Sequence, residues 1–341
     1  MKICVISTSI WSIPLRNYGG LEQIAYWQAQ ELAKLGHSVL LVAPVGSIPP
    51  ANVELHGTTL GEPERNSWLG YKDRLKNYDI IIDNSWMKYS YMSVKDGGIR
   101  GFIFGVCHAP IETMYRMKPP VDKPCLIGLS EDHTNRIRKH LGTNAECAYN
   151  GIDMDFYKQD ASVERDGRYL FMGRMSSIKG PHVAVEICKE TGSKLDVVGD
   201  DTITNEPDYK KKVYDACDGD VIKYWGGIDR ESTVHMYSTR KALLNTIQWD
   251  AEPFGLVMVE AAACGQPCFV FDKGSPREIV RNGVSGFVVK TKDEMIDLVK
   301  SNAAKDIKSS DCRLEASRFS KEEMGLRYNQ LAMKAMDDGG W

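Results

Sequence analysis

Two doubly wound α/β domains in tandem are the fold class this sequence predicts, and three observations predict it. Short apolar runs of strand length recur along the whole chain, segments of helical period separate many of them, and 341 residues exceed the size at which one hydrophobic core stops growing. Two such domains side by side create a cleft, and open α/β folds bind ligands beyond the carboxyl ends of their strands, so the loops that follow strands are the expected functional segments.

The strand-length runs of the first half are "KICVIS", "SVLLVA", "DIIID", "GFIFGVC", "CLIGLS" and "AECAY"; those of the second are "RYLFMG", "KLDVVG", "DVIKYW", "KALLNT", "PCFVFD" and "GFVVK". Between the first two, Leu21, Ile24, Ala25, Gln28, Leu32 and Leu35 fall near one helical face, and Gly36 stands where that helix should stop. The same period predicts helices over Pro181 to Glu190, Phe254 to Ala263, Asp293 to Ser301 and Lys321 to Met336. The rhythm breaks at "YNGIDMDFYKQDASVERDGR", residues 149–168, where polar residues and glycines mark the join.

Composition narrows the function classes. Hydrophobic residues at 43% and charged residues at 26% fit a globular enzyme, and a formal net charge of -3 gives no basic footprint for nucleic acid as the main partner. The 9 cysteines are odd in number, mostly lie in apolar segments and form no Cys-x-x-Cys, which predicts free thiols in a reducing compartment. "KICVIST" is too short for a signal-peptide core, and no run reaches the roughly 18 apolar residues of a membrane span. A cytoplasmic protein is expected.

Among the post-strand loops, "GRMSSIKGPHVAVEI" offers Gly173, Arg174, Lys179 and Gly180 ahead of a helix opening at Pro181. An anion there would meet a helix N-terminus and two cations, one a planar fork suited to phosphate; the plain alternative is a loop with solvated charges. Lys-Gly is not the Gly-Lys-Ser/Thr order of a Walker loop. "NYGGLEQ", with Gly19 and Gly20, has backbone freedom for close approach but lacks the dinucleotide glycine pattern. "DKGSPREIV", with Gly274, Ser275 and Pro276, reads equally as a turn or as a ligand contact.

"AEPFGLVMVEAAACG" makes the same strand-to-helix transition and carries Glu252 and Glu260 at the ends of an apolar run. Pro253 and Gly255 leave the amides around Phe254 and Leu256 near a helix entrance, open to an anion. A fully helical span would separate the glutamates by roughly 12 Å, too far for the roughly 5 Å carboxylate pair of a double-displacement glycosidase. The layout suits an elongated ligand with hydroxyls at both ends and negative charge between: sugar, diphosphate, ribose.

Together these residues resemble the retaining glycosyltransferases of family 4, which have the two-domain GT-B fold. The carriers are "YGGLEQ" with "ELAKLGHSVLLVA", "CHAP", "YNGID", "FMGRMSSIKGPH", "EPFGLVMVEAAACGQP" and "GSPREIVRNGVSGFVV", spread over nearly the whole chain. Glu252 to Glu260 matches the family's E-x7-E motif. The resemblance implies that Arg174 and Lys179 hold the donor diphosphate, that Glu252 binds hydroxyls of the transferred sugar, and that Glu260 binds the ribose. It implies that His108 reaches the donor sugar near the reaction centre, that Gly20 lies in a glycine loop beside the phosphates, that Gly173 is donor-binding, and that Gly227 and Ile228 meet the nucleobase. It also implies an N-terminal domain over 1–155 on the acceptor side, a donor domain over 156–319, and a last helix within 320–341 that crosses back to the first domain. One residue more than in many relatives precedes Glu252 in "QWDAEPFG". For His108 alone, the plain alternative is a hydrogen-bonded histidine at a strand end.

"DMD" (Asp153 to Asp155) and "DGD" (Asp218 to Asp220) mimic the metal motif of another glycosyltransferase fold, but their positions read as structural, and two cations already supply the countercharge. No metal and no cofactor are expected, only a nucleotide-sugar co-substrate, with UDP-glucose the weak preference. An acceptor, whether small molecule, glycan or lipid-linked, would dock on the first half, where Trp11, Arg16, Tyr18, Trp86 and Lys88, beside Tyr89 and Tyr91, offer aromatic and cationic groups; core aromatics and a solvated face are the alternative. "HTNRIRKH", residues 133–140, is basic enough to touch anionic lipid, although such clusters are usually just solvated. A nucleotide-sugar epimerase, a phosphorylase and a non-catalytic sugar-nucleotide binding module are the competing readings.

Overall fold

The structure, a computed structural model, describes all residues except 16–19, 96–97, 115–118, 120, 122–123, 160–162 and 201–205. It divides into two compact units, one made of Met1–Leu15, the described residues of 20–151 and Phe319–Trp341, the other of the described residues of Ile152–Arg318.

In the first unit, β1 (Lys2–Ile6), β2 (Ser38–Pro44), β3 (Val53–Thr58), β4 (Ile80–Asp83), β5 (Phe102–Val106), β6 (Leu126–Gly128) and β7 (Ala145–Cys147) form one parallel sheet in the order β3-β2-β1-β4-β5-β6-β7. In the second, β8 (Tyr169–Met172), β9 (Leu195–Val198), β10 (Ile222–Gly226), β11 (Leu243–Asn245), β12 (Cys268–Phe271) and β13 (Gly286–Val289) form another, ordered β10-β9-β8-β11-β12-β13. Both are the α/β architecture the alternating pattern predicts. Each order reverses once, between β1 and β4 and between β8 and β11, which opens a crevice at the strand ends there.

Every apolar run read as a strand contains one, because helices cover both faces of each sheet and the inner strands are buried on both sides. β3 has no such run. It sits at the edge of its sheet and reads "VELHGT", with Glu54 and Gly57 exposed, so its pairing with β2 leaves no trace in hydrophobicity.

The helix Leu21–Lys34 buries Ile24, Ala25, Gln28 and Leu32 as the period requires, and Gly36 follows it at φ +86°. Within the same unit it packs on the last helix, Lys321–Asp338, whose Gly325 lies so close that an added Cβ would stand 2.4 Å from Glu31 Cβ. In the second unit Tyr169, Phe171, Ile187, Val197, Leu244 and Phe269 centre the core. Burying such a side chain contributes about 1.5–3 kcal/mol.

One helix differs from its expected bounds in a way that matters. The segment expected to be helical from Phe254 begins at Leu256, because Gly255 takes φ +87° as its N-cap and Pro253 precedes it. Glu252 is therefore held in an extended bridge to Gly274 rather than on the helix. Among the described residues no helix is long and apolar enough to cross a membrane.

Candidate active site

The loops after β8 and β11, the two strands at which the second sheet reverses, carry Lys179 and Glu252. Lys179 Nζ donates to Glu252 Oε2 at 2.5 Å, and Glu252 is 8% exposed. Local packing brings them together. Gly180, at φ +72°, is the N-cap of the helix Pro181–Thr191, and a Cβ there would stand 2.2 Å from the Thr246 carbonyl oxygen. Thr246 Oγ1 donates to the Gly180 carbonyl at 2.8 Å, and the Gln248 N–H donates to Ile178 at 2.8 Å. The two loops are thus joined backbone to backbone.

The loop after β12 completes the arrangement. Gly274, at φ +91°, lies against Glu252 so closely that a Cβ would stand 2.7 Å from its backbone nitrogen. The Ser275 N–H donates to the Glu252 carbonyl at 3.1 Å, and Ser275 Oγ donates to the Phe254 carbonyl at 2.6 Å. "DKGSPREIV", open between turn and ligand contact in the sequence, has at least this positioning role. The Gly-Ser pair ahead of Pro276 was its only signal. Phe254 is 2% exposed, so its ring belongs to the core and its carbonyl to this network.

Arg174, half-buried in the loop after β8, has no hydrogen bond or ion pair among the described residues. Neighbouring Gly173 donates its N–H to the Val198 carbonyl at 3.1 Å. The entrance of the helix Leu256–Ala263 has no side-chain cap, so its first amides have no side-chain acceptor. After β10, Gly227 is exposed and Ile228 half-buried, ahead of Asp229, which caps the helix Arg230–Thr239 by accepting the Ser232 N–H at 2.7 Å.

Glu260 stands on the helix Leu256–Ala263, apart from the Lys179 pair. Its Oε1 accepts from the Tyr157 hydroxyl at 2.9 Å and its Oε2 from the Tyr237 hydroxyl at 3.0 Å. Burial raises its pKa above the ordinary carboxylate value, against the opposing pull of Arg230 and the two phenols. Nothing in the sequence distinguishes either tyrosine from a core aromatic.

In the first unit His108 follows β5. Its Nε2 lies 2.9 Å from Asn84 Oδ1, and Asn84 Nδ2 donates to Gln28 Oε1 at 2.8 Å. That orientation of Asn84 assigns the imidazole proton to Nε2 and leaves Nδ1 as acceptor. Burial, reinforced by Lys88 and His133, holds the His108 pKa well below its ordinary value, so the ring is neutral. Trp11 and Trp86 are 42% and 41% exposed, as surface rings must be to meet a ligand. Lys88 is not: it is 3% exposed, its Nζ donating to the Ser85 carbonyl, with burial lowering its pKa. Tyr91 is a core residue and Tyr89 stacks on Trp68 at 6.1 Å. Gly20 adopts φ -91°, a conformation open to any residue, so the freedom expected of it is not used. Arg16, Tyr18 and Gly19 lie outside the described residues.

Both Asp-x-Asp stretches make local turns: Asp153 accepts the N–H of Asp155 at 3.0 Å, and Asp218 that of Asp220 at 2.8 Å. Among the described residues no group of three or more His, Cys, Asp or Glu side chains is placed to hold a metal ion. The basic segment 133–140 lies on the helix Glu131–Leu141, where Arg136 pairs with Asp132 at 2.7 Å and Arg138 donates to the Ala145 carbonyl at 2.7 Å.

Residues 154–316, nearly all of the second unit, match the family model for glycosyl transferases group 1. The second unit is therefore similar to the group 1 glycosyl transferases. A D-inositol 3-phosphate glycosyltransferase of Frankia alni is 30% identical to this chain over 164 residues, 42% of this chain and 40% of that protein. A glycosyltransferase involved in avilamycin A biosynthesis superposes with a TM-score of 0.77 at 21% identity, covering 99% of this chain and 98% of its own. HepE of Anabaena, solved in complex with UDP-glucose, does so with a TM-score of 0.74 at 16% identity, covering 99% and 100%. These likenesses show that the chain has the GT-B fold. The chain spans only 40% to 62% of the length of the first curated relatives it matches.

Proposed function

We propose that this chain is an enzyme that moves a hexose from a nucleoside-diphosphate sugar to an acceptor, with retention at the anomeric carbon and without a metal. The observation that carries this reading is the Lys179–Glu252 pair, set at the reversal of the second sheet next to the N-termini of the helices Pro181–Thr191 and Leu256–Ala263. Lys179 spends one N–H on Glu252 and keeps two for phosphate oxygens. Arg174 adds a forked donor. Cations and helix amides together oppose the charge that grows on the departing diphosphate, the state in which fixed dipoles accelerate a reaction most.

Glu252, paired yet beside the phosphate site, takes hydroxyls of the transferred sugar, and Glu260 takes the ribose. Gly173, Gly255 and Leu256 offer backbone to the phosphates, with Gly227 and Ile228 at the base. His108, neutral with an open Nδ1, accepts a sugar hydroxyl. UDP-glucose is the first candidate donor, supported by the fold neighbour solved with it. The acceptor, a small molecule, glycan or lipid-linked sugar, uses the first unit, where Trp11 and Trp86 are open for stacking. Nine free cysteines accord with a reducing cytoplasm.

A thermal-shift screen of UDP, GDP and ADP sugars tests the reading, because selective stabilisation reports binding to the folded state. One donor class should stabilise the protein and release its diphosphate when acceptor is supplied, with chelator present throughout. Stabilisation by none of them contradicts the proposal. Conversion of donor without acceptor would indicate an epimerase, a need for inorganic phosphate a phosphorylase, and binding without any turnover a non-catalytic module. Loss of transfer in chelator, restored by magnesium or manganese, would remove metal independence.

A further inference from the structure

We propose that Tyr157 and Tyr237 are positioning residues that set ribose selectivity, by fixing Glu260 as a carboxylate that can only accept hydrogen bonds. The inference rests on the proposed nucleotide-sugar reading and adds to it how the ribose end is built.

A carboxylate has about four lone-pair sites. Tyr157 and Tyr237 each fill one, on opposite oxygens, at 2.9 and 3.0 Å. Every oxygen thus keeps one site, and Glu260 is half-buried while both tyrosines are buried, so what remains open is a pair of acceptors matched to a vicinal diol. The direction of one bond is fixed independently. Arg230 donates to the Tyr157 hydroxyl oxygen at 3.2 Å, which leaves that hydroxyl's proton for Glu260.

Two further arginines hold the group in place. Arg165 donates to the Tyr237 carbonyl at 2.8 Å and to the Cys264 carbonyl at 3.0 Å. Arg313 donates to the Tyr157 carbonyl at 2.9 Å and to the Ala263 carbonyl at 2.7 Å. Each arginine therefore ties one tyrosine to the C-terminal end of the helix that carries Glu260. Such an arrangement fixes the carboxylate before a ligand arrives, and a fixed acceptor pair penalises a ligand that lacks one of the two donors, since one acceptor site of a charged oxygen, shielded from water by the ligand, then goes unfilled.

The test is calorimetric titration with whichever of UDP, GDP and ADP binds the wild type most tightly, and with its 2′-deoxy counterpart. Wild type should prefer the ribonucleotide by about tenfold or more, the worth of one hydrogen bond to a charged group. Tyr157→Phe and Tyr237→Phe should each shrink that ratio several-fold while the protein still unfolds cooperatively. In a Glu260→Gln background neither substitution should change the ratio further, because the tyrosines act through that carboxylate. A ratio unchanged in both single variants overturns the inference while leaving the functional reading intact; a wild type that binds none of the three diphosphates overturns both. Should one variant fail to fold, the other reads the same ratio.

Discussion

Lys179 and Glu252 meet at 2.5 Å across 73 residues of sequence, each delivered by the loop after one of two neighbouring strands, β8 and β11. The pair is partly buried, so its worth lies between that of a surface ion pair and that of a charge stranded in the interior.

Lys179→Met should therefore cost about 1–3 kcal/mol of stability, by leaving Glu252 without its partner. Lys179→Met with Glu252→Gln should recover part of that loss, since a neutral amide needs no countercharge. Urea unfolding of the three variants measures it; a double variant less stable than Lys179→Met would show that the pair is not what the lysine contributes.

Arg174→Ala should damage turnover more than donor affinity, because charge on the departing diphosphate is largest in the transition state. The expected loss in kcat is about 100-fold, the usual worth of one preorganised donor. Steady-state kinetics separate the terms. A change confined to the KM for donor would make Arg174 a uniform binding contact instead.

Gly180→Ala should destabilise the second unit and reduce donor binding together. Its φ of +72° disfavours any Cβ, and the new atom would stand 2.2 Å from the Thr246 carbonyl, so the joined loops must separate. Gly192→Ala is the control. It shares a positive φ of +66° at a helix end but has open space around it, so it should destabilise without affecting donor affinity. Equal loss of affinity in both variants, measured by calorimetry, would mean that general instability accounts for the effect.

Much of this site was legible because the chemistry was crowded into short post-strand segments. Arg174 and Lys179 precede a Pro-initiated helix, and Glu252 precedes a glycine that must bend. The sequence offered less where a role depends on three-dimensional company. Tyr157 and Tyr237 are ordinary aromatics until Glu260 is placed between them, and Ser275 is a turn residue until its hydroxyl meets the Phe254 carbonyl. Lys88 misled in the opposite sense: in a run with Trp86 and Tyr89 it reads as a surface cation, yet the segment after β4 turns it inward onto the Ser85 carbonyl. Edge strand β3 was invisible because an edge needs few apolar residues. The start of the helix at Leu256 was shifted by Gly255, whose left-handed conformation periodicity does not register.

Acid should weaken the first unit through its buried histidines. His133 is 1% exposed, and burial lowers its pKa from 6.5 to about 4. The folded state therefore keeps it neutral while the unfolded chain takes up a proton, so its contribution is intact above pH 6.5 and is lost progressively as pH falls toward 4. The loss amounts to about 3 kcal/mol at most. Glu22 and Glu260, whose pKa values burial raises, act in the opposite direction, so the informative quantity is a difference between proteins. His133→Gln should lose less stability than wild type between pH 7 and pH 4.5 in denaturant titrations; parallel losses would place the acid sensitivity elsewhere.

Which end of the ligand each glutamate holds is read directly by one calorimetric comparison. Wild type, Glu252→Gln and Glu260→Gln are titrated with the cognate nucleoside diphosphate and with the intact donor sugar. With Glu260 on the ribose, Glu260→Gln should weaken both ligands by comparable factors. With Glu252 on the sugar, Glu252→Gln should weaken the donor and spare the bare diphosphate. Abolished binding of the bare diphosphate in Glu252→Gln, together with unchanged binding in Glu260→Gln, would contradict the assignment and reverse the ligand in its site.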